Sequence, residues 1–265
     1  MTTEQATALR FVVATDRLRD FLSKAFLSLG QDRLETVNVE VTPKHFVSKG
    51  WYYGDVVANY LVASQRFFKE YDVGKDTNLT VPIRSTLLDN VSKRFKSDES
   101  VAIEITDKVI RIIGKNETFE DDLPKLKPID FPVEIKPLNI DKDMIVFVPP
   151  KSDEMKSVVV DCAVSQLQDL PSVKTYAFED DGTNFLFKVD SNLDNSFSGR
   201  YSKIIEGTAK KHSSLSIQVD AAFLNRLVKN LNGNAWFFAG EDDVILTQTT
   251  PELVTTFLLV TNIKQ

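Results

Sequence analysis

The chain has 265 residues, with 32 Lys+Arg against 38 Asp+Glu and a formal net charge of −6, and its 42% hydrophobic and 26% charged residues suit a globular protein long enough for two domains. No apolar run approaches the ~20 residues that span a bilayer, and no charged-then-apolar leader precedes the first strand, which argues against membrane insertion and secretion. A single cysteine, Cys162, excludes a disulfide framework, two histidines (His45 and His212) leave little for a zinc site or a histidine relay, and the acidic total argues against nonspecific coating of nucleic acid unless positive charge is concentrated in one place.

In chain order, period-two alternation predicts strands and period-3.6 stripes predict helices. A strand at Leu9–Ala14 leads into a helix at Thr15–Leu29, followed by strands near Thr36–Val41, His45–Trp51 and Val56–Ala63. The order then repeats: strand Asn78–Ile83, helix Ser85–Lys96, strands Val101–Ile105, Val109–Gly114 and Thr118–Leu123. Next comes PKLKPIDFPVEIKPLNIDKD, whose Pro124, Pro128, Pro132 and Pro137 deny it helix or central-strand status. It reads as an extended connector at 124–143 between domains at 1–123 and 144–265, and its Leu126, Ile129, Phe131, Val133 and Ile135 are more apolar than a solvated tether needs.

Beyond the connector the same rhythm gives strand Met144–Val148, helix Ser152–Gln168, and strands Lys174–Glu179, Phe185–Asp190 and Phe197–Ile205. The last quarter gives strand Ser214–Val219, helix Ala221–Leu231, and strands Ala235–Ala239, Val244–Gln248 and Val254–Asn262. The unit β-α-β-β-β thus occurs four times, twice on each side of the connector. Thr15, Ser85, Ser152 and Asp220 stand at the expected helix N-caps. The helix stripes are Leu18, Phe21, Leu22, Ala25, Phe26 and Leu29, then Leu87, Leu88, Val91 and Phe95, then Phe223, Leu224, Leu227, Val228 and Leu231.

The charges divide unevenly. Away from the stripes lie Arg17, Arg19 and Lys24 on the first helix, Lys93, Arg94 and Lys96 on the second, and Arg226 and Lys229 on the fourth. On the third, Lys156 is outnumbered by Asp153, Glu154 and Asp161. The four helices together carry a net +3, which leaves −9 on the rest of the chain. Basic helices on an acidic, sheet-rich body suit a surface that cradles or encircles DNA, although outward lysines also serve solubility. No aromatics interleave with them and no base-reading helix is evident, so any DNA contact is expected at phosphates, without sequence preference.

Catalysis has little material. No GxGxxG, Walker-type loop, GxSxG or HExxH occurs. Cys162 falls on the apolar stripe of its helix, Lys210-Lys211-His212 reads as a solvated loop, and the pairs Asp121-Asp122, Asp180-Asp181 and Asp242-Asp243 suit turns better than a metal site. Neither cofactor nor metal is expected. A β-rich interaction scaffold without a DNA role remains the other reading of composition alone.

Four such units, an apolar connector and basic helices in an acidic chain resemble the sliding clamps, the family of proliferating cell nuclear antigen (PCNA) and the T-even phage clamp. The similarity is carried by Val81 to Gly114 and by Ser214 to Ile263, where SLSIQVDAAFLNRLVKNL resembles a last inner helix and VTTFLLVTNI a closing strand. Two departures mark a divergent member: Leu259-Val260-Thr261-Asn262 replaces the Leu-Ala-Pro-Lys/Arg ending, and Lys49-Gly50-Trp51-Tyr52-Tyr53-Gly54 replaces the Asp-Ser/Pro-Ser-His loop.

The resemblance implies an α+β fold of two similar clamp-type domains, with helices inside and antiparallel sheets outside. It implies a ring of three subunits, homomeric or heteromeric as in checkpoint-type clamps, that encircles double-stranded DNA as a polymerase processivity factor. Arg17, Arg19, Lys24, Lys93, Arg94, Lys96, Lys156, Arg226 and Lys229 would face DNA. Ile129, Phe131, Pro132, Leu259, Val260 and Ile263 would form the groove for polymerase and other replication or repair proteins, and a clamp loader would open the ring. Acidic Glu120 and Asp122 would meet basic Arg200 and Lys203 where subunits join. The implied setting is the cytoplasm or nucleoid, or the nucleus in a eukaryote.

Overall fold

The structure, a computed structural model, describes residues 9–27, 33–52, 57–106, 108–123, 145–147, 175–180, 185–190, 200–205, 217–220, 227, 230–231, 236–239 and 243–260. The chain divides into one unit of Met1–Trp51, Asn59–Glu134 and Thr250–Thr255, and another of Tyr52–Ala58, Ile135–Thr249 and Thr256–Gln265.

In the first unit, β1 (Leu9–Ala14) runs into α1 (Thr15–Ala25), then β2 (Thr36–Val41), β3 (His45–Tyr52) and β4 (Val57–Ser64). A single 3-10 turn (Gln65–Phe67) and a short strand β5 (Glu70–Asp72) follow, neither of which alternation in the sequence predicts. Then come β6 (Leu79–Arg84), α2 (Thr86–Arg94), β7 (Ser100–Ile105), β8 (Val109–Ile113) and β9 (Thr118–Asp122). Five of these strands form an antiparallel sheet in the order β5-β1-β7-β8-β9. The other sheet of this unit runs β17-β4-β3-β2-β6, its first strand supplied where the chain returns at 250–255 through β17 (Leu253–Val260). The Ser64 N–H donates to Glu252 O at 2.9 Å, which fixes that return.

Alternation explains the layers. In β1 Phe11 and Val13 are fully buried while Arg10 is exposed, and in β2 Val37, Val39 and Val41 are buried. Against these faces α1 sets Leu18, Phe21, Leu22 and Ala25, and α2 sets Leu87, Leu88 and Val91, as their period-3.6 stripes predict. The core is aromatic. Phe11 has ring centroids of Phe46, Phe68 and Tyr71 at 5.6, 5.5 and 5.0 Å, and Phe21 has those of Phe46 and Phe67 at 5.6 and 5.8 Å. Edge-to-face and tilted contacts at these spacings contribute about 0.5–1.5 kcal/mol each beyond area burial. The Tyr71 hydroxyl donates to Thr42 O at 2.8 Å, and burial pushes its phenol pKa up.

The first helix ends sooner than its stripe suggests. Phe26 takes the C-cap, Leu27 adopts φ 48, and the Leu34 N–H returns to Phe26 O at 2.9 Å. The expected threonine cap also gives way to a different junction. Ala14 is the N-cap, and buried Thr15 is already helical; its N–H donates to Glu99 O at 3.0 Å, while its hydroxyl has no hydrogen bond. Ser85 does occupy the N-cap of α2, but without a side-chain bond; its own N–H donates to Glu35 O at 2.8 Å. Both helix starts are held by a neighbouring segment, so a side-chain cap is dispensable.

In the second unit, β10 (Ile145–Phe147), β15 (Trp236–Ala239) and β16 (Asp243–Thr249) lie side by side, followed by the remainder of β17. Buried Thr247 and Thr256 share a hydroxyl hydrogen bond at 3.0 Å. A further sheet runs β13 (Arg200–Ile205), β12 (Phe185–Asp190), β11 (Thr175–Asp180) and β14 (Ile217–Asp220), antiparallel throughout. Leu227 is helical and buried with Leu231. The expected connector at 124–143, the helix Ser152–Gln168 and most of the helix Ala221–Leu231 lie outside the described residues. Among the described residues no helix is long and apolar enough to cross a membrane.

Candidate nucleic-acid interface

The predicted DNA-facing cations of α1 are engaged within the first unit. Arg19 lies at the C-terminal end of α2, where its Nη2 donates to the carbonyls of Val91 (3.3 Å), Ser92 (3.1 Å) and Phe95, and its Nη1 to the Ser97 hydroxyl (2.6 Å). The last carbonyls of a helix lack intrahelical partners and carry partial negative charge, so a guanidinium there satisfies both needs. Replacing Arg19 with methionine is expected to lower stability by about 1–2 kcal/mol. The check is a urea midpoint that falls at unchanged slope.

Lys24 corrects the sequence expectation outright. Its side chain is 6% exposed, and its ammonium pairs with Asp20 at 2.7 Å. At 100° per residue Lys24 lies about 60° from Phe21, on the flank of the apolar stripe, where its stem is covered and its head group reaches back one turn. Arg17 keeps 44% of its side chain exposed yet pairs with Glu252 at 3.0 Å. The more exposed side of α1 therefore shows Asp16, Asp20 and Ser23 beside Arg17.

The end of α1 depends on a residue that helical and strand periodicity does not single out. Asn59, fully buried in β4, donates from Nδ2 to Lys24 O (3.0 Å) and Ala25 O. A lone asparagine in the apolar run Val57–Ala63 is the signal that marks it. Gly50 leaves room for it, since a Cβ there would stand 2.3 Å from Asn59 Oδ1.

At the C-terminal end of α2 and just beyond its Phe95 C-cap the positive charge stays available. Lys93 and Lys96 are exposed and carry no ion pair among the described residues. Arg94 pairs with Glu117, bonds Asn90 Oδ1 at 3.0 Å and lies 5.7 Å from the Phe119 ring. Asp89 interrupts the patch, but Arg33 clasps it with Nη1–Oδ1 at 2.7 Å and Nη2–Oδ2 at 2.6 Å. That hydrogen bonding holds the Asp89 carboxyl below its ordinary pKa, with Lys93 adding to the effect, and raises that of Arg33. Arg33, absent from the sequence-based set, offsets the one acid on α2. The arrangement can attract phosphates through two solvated lysines at one helix end. Lys156, Arg226 and Lys229 lie outside the described side chains.

Among the described residues the two strands expected at subunit junctions are both sheet edges: β9 ends the five-stranded sheet and β13 the four-stranded one. On β9, Glu120 pairs with Arg111 and the Asp121 carboxylate accepts from the Thr86 hydroxyl at 3.3 Å, while Asp122 is exposed. Arg200 and Lys203 occupy β13. Of the expected groove, Ile129, Phe131, Pro132 and Ile263 lie outside the described residues, and Leu259 and Val260 are placed as the backbone of β17.

No known protein-family model matches the sequence, and no curated protein matches it. Solved structures do match over nearly the whole chain. PCNA from Entamoeba histolytica has a TM-score of 0.74 at 14% identity, covering 97% of this chain and 99% of its own. PCNA from A. fulgidus, with the C-terminal region of FEN-1 bound, scores 0.72 at 12% identity with the same coverage. The PCNA2–PCNA3 complex from Sulfolobus tokodaii scores 0.71 at 11% identity, covering 96% and 99%. The chain has the α+β clamp fold.

Proposed function

We propose that this chain is a sliding clamp: copies of it join head to tail into a ring, duplex DNA passes through without sequence selection, and replication and repair enzymes are tethered to the DNA by docking on the ring. The observation that carries this reading is the clamp fold over 97% of the chain, joined to two solvated lysines, Lys93 on α2 and Lys96 just beyond its C-cap. A ring held by topology needs only weak phosphate contacts, and must keep them weak to move. Two lysines without ion pairs among the described residues, at and just beyond the end of α2, with Arg17, Arg19 and Arg94 engaged at home, fit that requirement better than a dense basic patch.

In this reading the domains are 1–123 and 144–265, joined by 124–143. Lys156, Arg226 and Lys229 add to the lining of the second domain. Ile129, Phe131 and Pro132, with Leu259, Val260 and Ile263, receive the apolar tails of a polymerase or nuclease; the A. fulgidus clamp carrying a FEN-1 C-terminal region supports such docking. The chain acts as a scaffold and catalyses nothing itself. It works wherever DNA is copied: the cytoplasm or nucleoid, or the nucleus in a eukaryote.

A second reading makes it one subunit of a heteromeric ring, favoured by the likeness to the PCNA2–PCNA3 complex and by the internal engagement of the α1 cations. Sedimentation at several concentrations, joined to a polymerase processivity assay, tests both. The homomeric clamp gives a mass near three times 29.9 kDa and longer extension products. A monomer at every concentration that never lengthens the products contradicts it.

A further inference from the structure

Three turns of the first unit meet around an open cavity of about 450 Å³ that, among the described residues, is lined by Lys44, Ser64, Gln65, Arg66 and Pro251. One wall is the turn between β2 and β3, one the 3-10 turn after β4, and one the turn that leads into β17. Side chains tie these walls together. Gln65 Nε2 donates to Pro43 O at 2.7 Å, and the Ser64 hydroxyl donates to Pro251 O and Glu252 O, each at 3.2 Å. A threonine also closes each flanking turn on itself: Thr42 Oγ1 accepts from the His45 N–H at 3.1 Å, and Thr250 Oγ1 from the Leu253 N–H at 2.9 Å.

The charge of the cavity is one-sided. Lys44 and Arg66 are exposed, and neither makes an ion pair among the described residues. The acid next to Pro251, Glu252, is held by Arg17 at 3.0 Å, so its charge is already offset. The chain as a whole carries −6, and an acidic ligand is therefore repelled by most of the surface and held only where cations collect. The neutral donors around the cavity are engaged: Gln65 and Ser64 donate to carbonyls, and the N–H groups of Lys44 and Glu252 go to Thr42 Oγ1 at 3.4 Å and Thr250 Oγ1 at 3.3 Å. A compact phosphate needs several fixed donors converging on it, whereas carboxylates spaced along a peptide need one long cationic side chain each. Lys44 and Arg66 offer the second arrangement.

We propose that this cavity is a docking site for an acidic, extended segment of a partner protein, with two of its carboxylates paired to Lys44 and Arg66. None of its five lining residues belongs to the set assigned above to apolar tails. All five belong to one unit of one chain, so the site does not depend on ring assembly. Solvated pairs of this kind are individually weak and screened by salt, and they select among partners more than they add affinity.

The test titrates the full chain, at low salt, into a fluorescein-labelled octapeptide of alternating Glu and Gly, with the Gln-Gly octapeptide as its uncharged control, and reads fluorescence anisotropy. The Glu-Gly peptide is expected to bind and the control not to. Lys44→Gln and Arg66→Gln are each expected to weaken binding about threefold, and together about tenfold. Lys75→Gln, which removes one exposed cation outside the cavity lining, is expected to leave it nearly unchanged. Equal weakening by Lys75→Gln would show diffuse attraction, and binding of the Gln-Gly peptide would show recognition without charge. Displacement by millimolar inorganic phosphate at matched ionic strength would show a small-anion site. A lower oligomer mass in the Lys44→Gln, Arg66→Gln pair would make the occupant a second copy of this chain. Each of these overturns the proposal, as does a parent chain that binds neither peptide. A chain that fails this test but assembles and lengthens polymerase products leaves the clamp reading standing; a monomer that passes it keeps the acidic-peptide site.

Discussion

Replacing Phe11 with alanine is expected to lower the stability of the first unit by about 3–5 kcal/mol, a large part of the 5–15 kcal/mol that holds a typical domain together. Phe11 is fully buried at the middle of β1, and its ring contacts Phe46 on β3, Phe68 after the 3-10 turn and Tyr71 on β5. Phe68 also touches Phe46, Phe67 and Tyr71, so the rings support one another around the site of the deletion. Collapse to fill the space would have to move strands from both sheets of the unit, so most of the cavity should persist and the full cost be felt. Thermal or urea unfolding of the variant is the measurement. A loss below about 1 kcal/mol would mean that the aromatic cluster is not the centre of the core. Lys75→Ala, exposed in the loop after β5 and without an ion pair among the described residues, is the control and should change stability by at most about 0.5 kcal/mol.

The joint change Lys93→Glu, Lys96→Glu is expected to weaken DNA retention at least tenfold while moving unfolding little and leaving oligomer mass unaltered. Both side chains are exposed and make no ion pair among the described residues, so reversal costs the fold only the weak attraction of Lys93 for Asp89, about 0.5 kcal/mol, while Arg33 keeps its clasp on that carboxylate. Every lysine withdrawn from a phosphate leaves one more counterion condensed on the DNA, and the salt dependence of binding should therefore flatten as the affinity falls. Repulsion from six introduced carboxylates in a three-membered ring adds to the effect. Filter retention of duplex DNA across a salt series reads both quantities. Unchanged affinity and slope would move the DNA surface elsewhere on the molecule.

Particular residues mark what was legible in the sequence. Period-two and period-3.6 patterns locate β1, α1, α2 and the strands of both units because burial on one face is a property of each segment alone. Segments whose existence depends on a partner escape that logic. Glu70-Tyr71-Asp72 becomes a strand because β1 offers it an edge, opposite Val12, Phe11 and Arg10. The fate of each cation was hidden for the same reason. Arg17, Arg19 and Lys24 all read as outward charges on a helical wheel, yet Glu252, the end of α2 and Asp20 claim them. Arg33 lies after α1 and is drawn to α2 by Asp89, 56 residues later, a pairing with no local signature. A row of alternating charge across the five-stranded sheet, Asp72, Arg10, Glu104, Arg111 and Glu120, is likewise visible only once register aligns five distant residues.

Topological retention on DNA tests the central claim most directly. Protein is incubated with linear duplex, both ends are blocked with bulky groups, and the complex is washed in high salt before a restriction enzyme opens the DNA. A sliding ring stays bound through the salt wash, because screening removes phosphate attraction but not linkage, and leaves only when the duplex is cut. Release by salt alone, before any cut, would show that the protein binds DNA only at its surface, and would contradict the account.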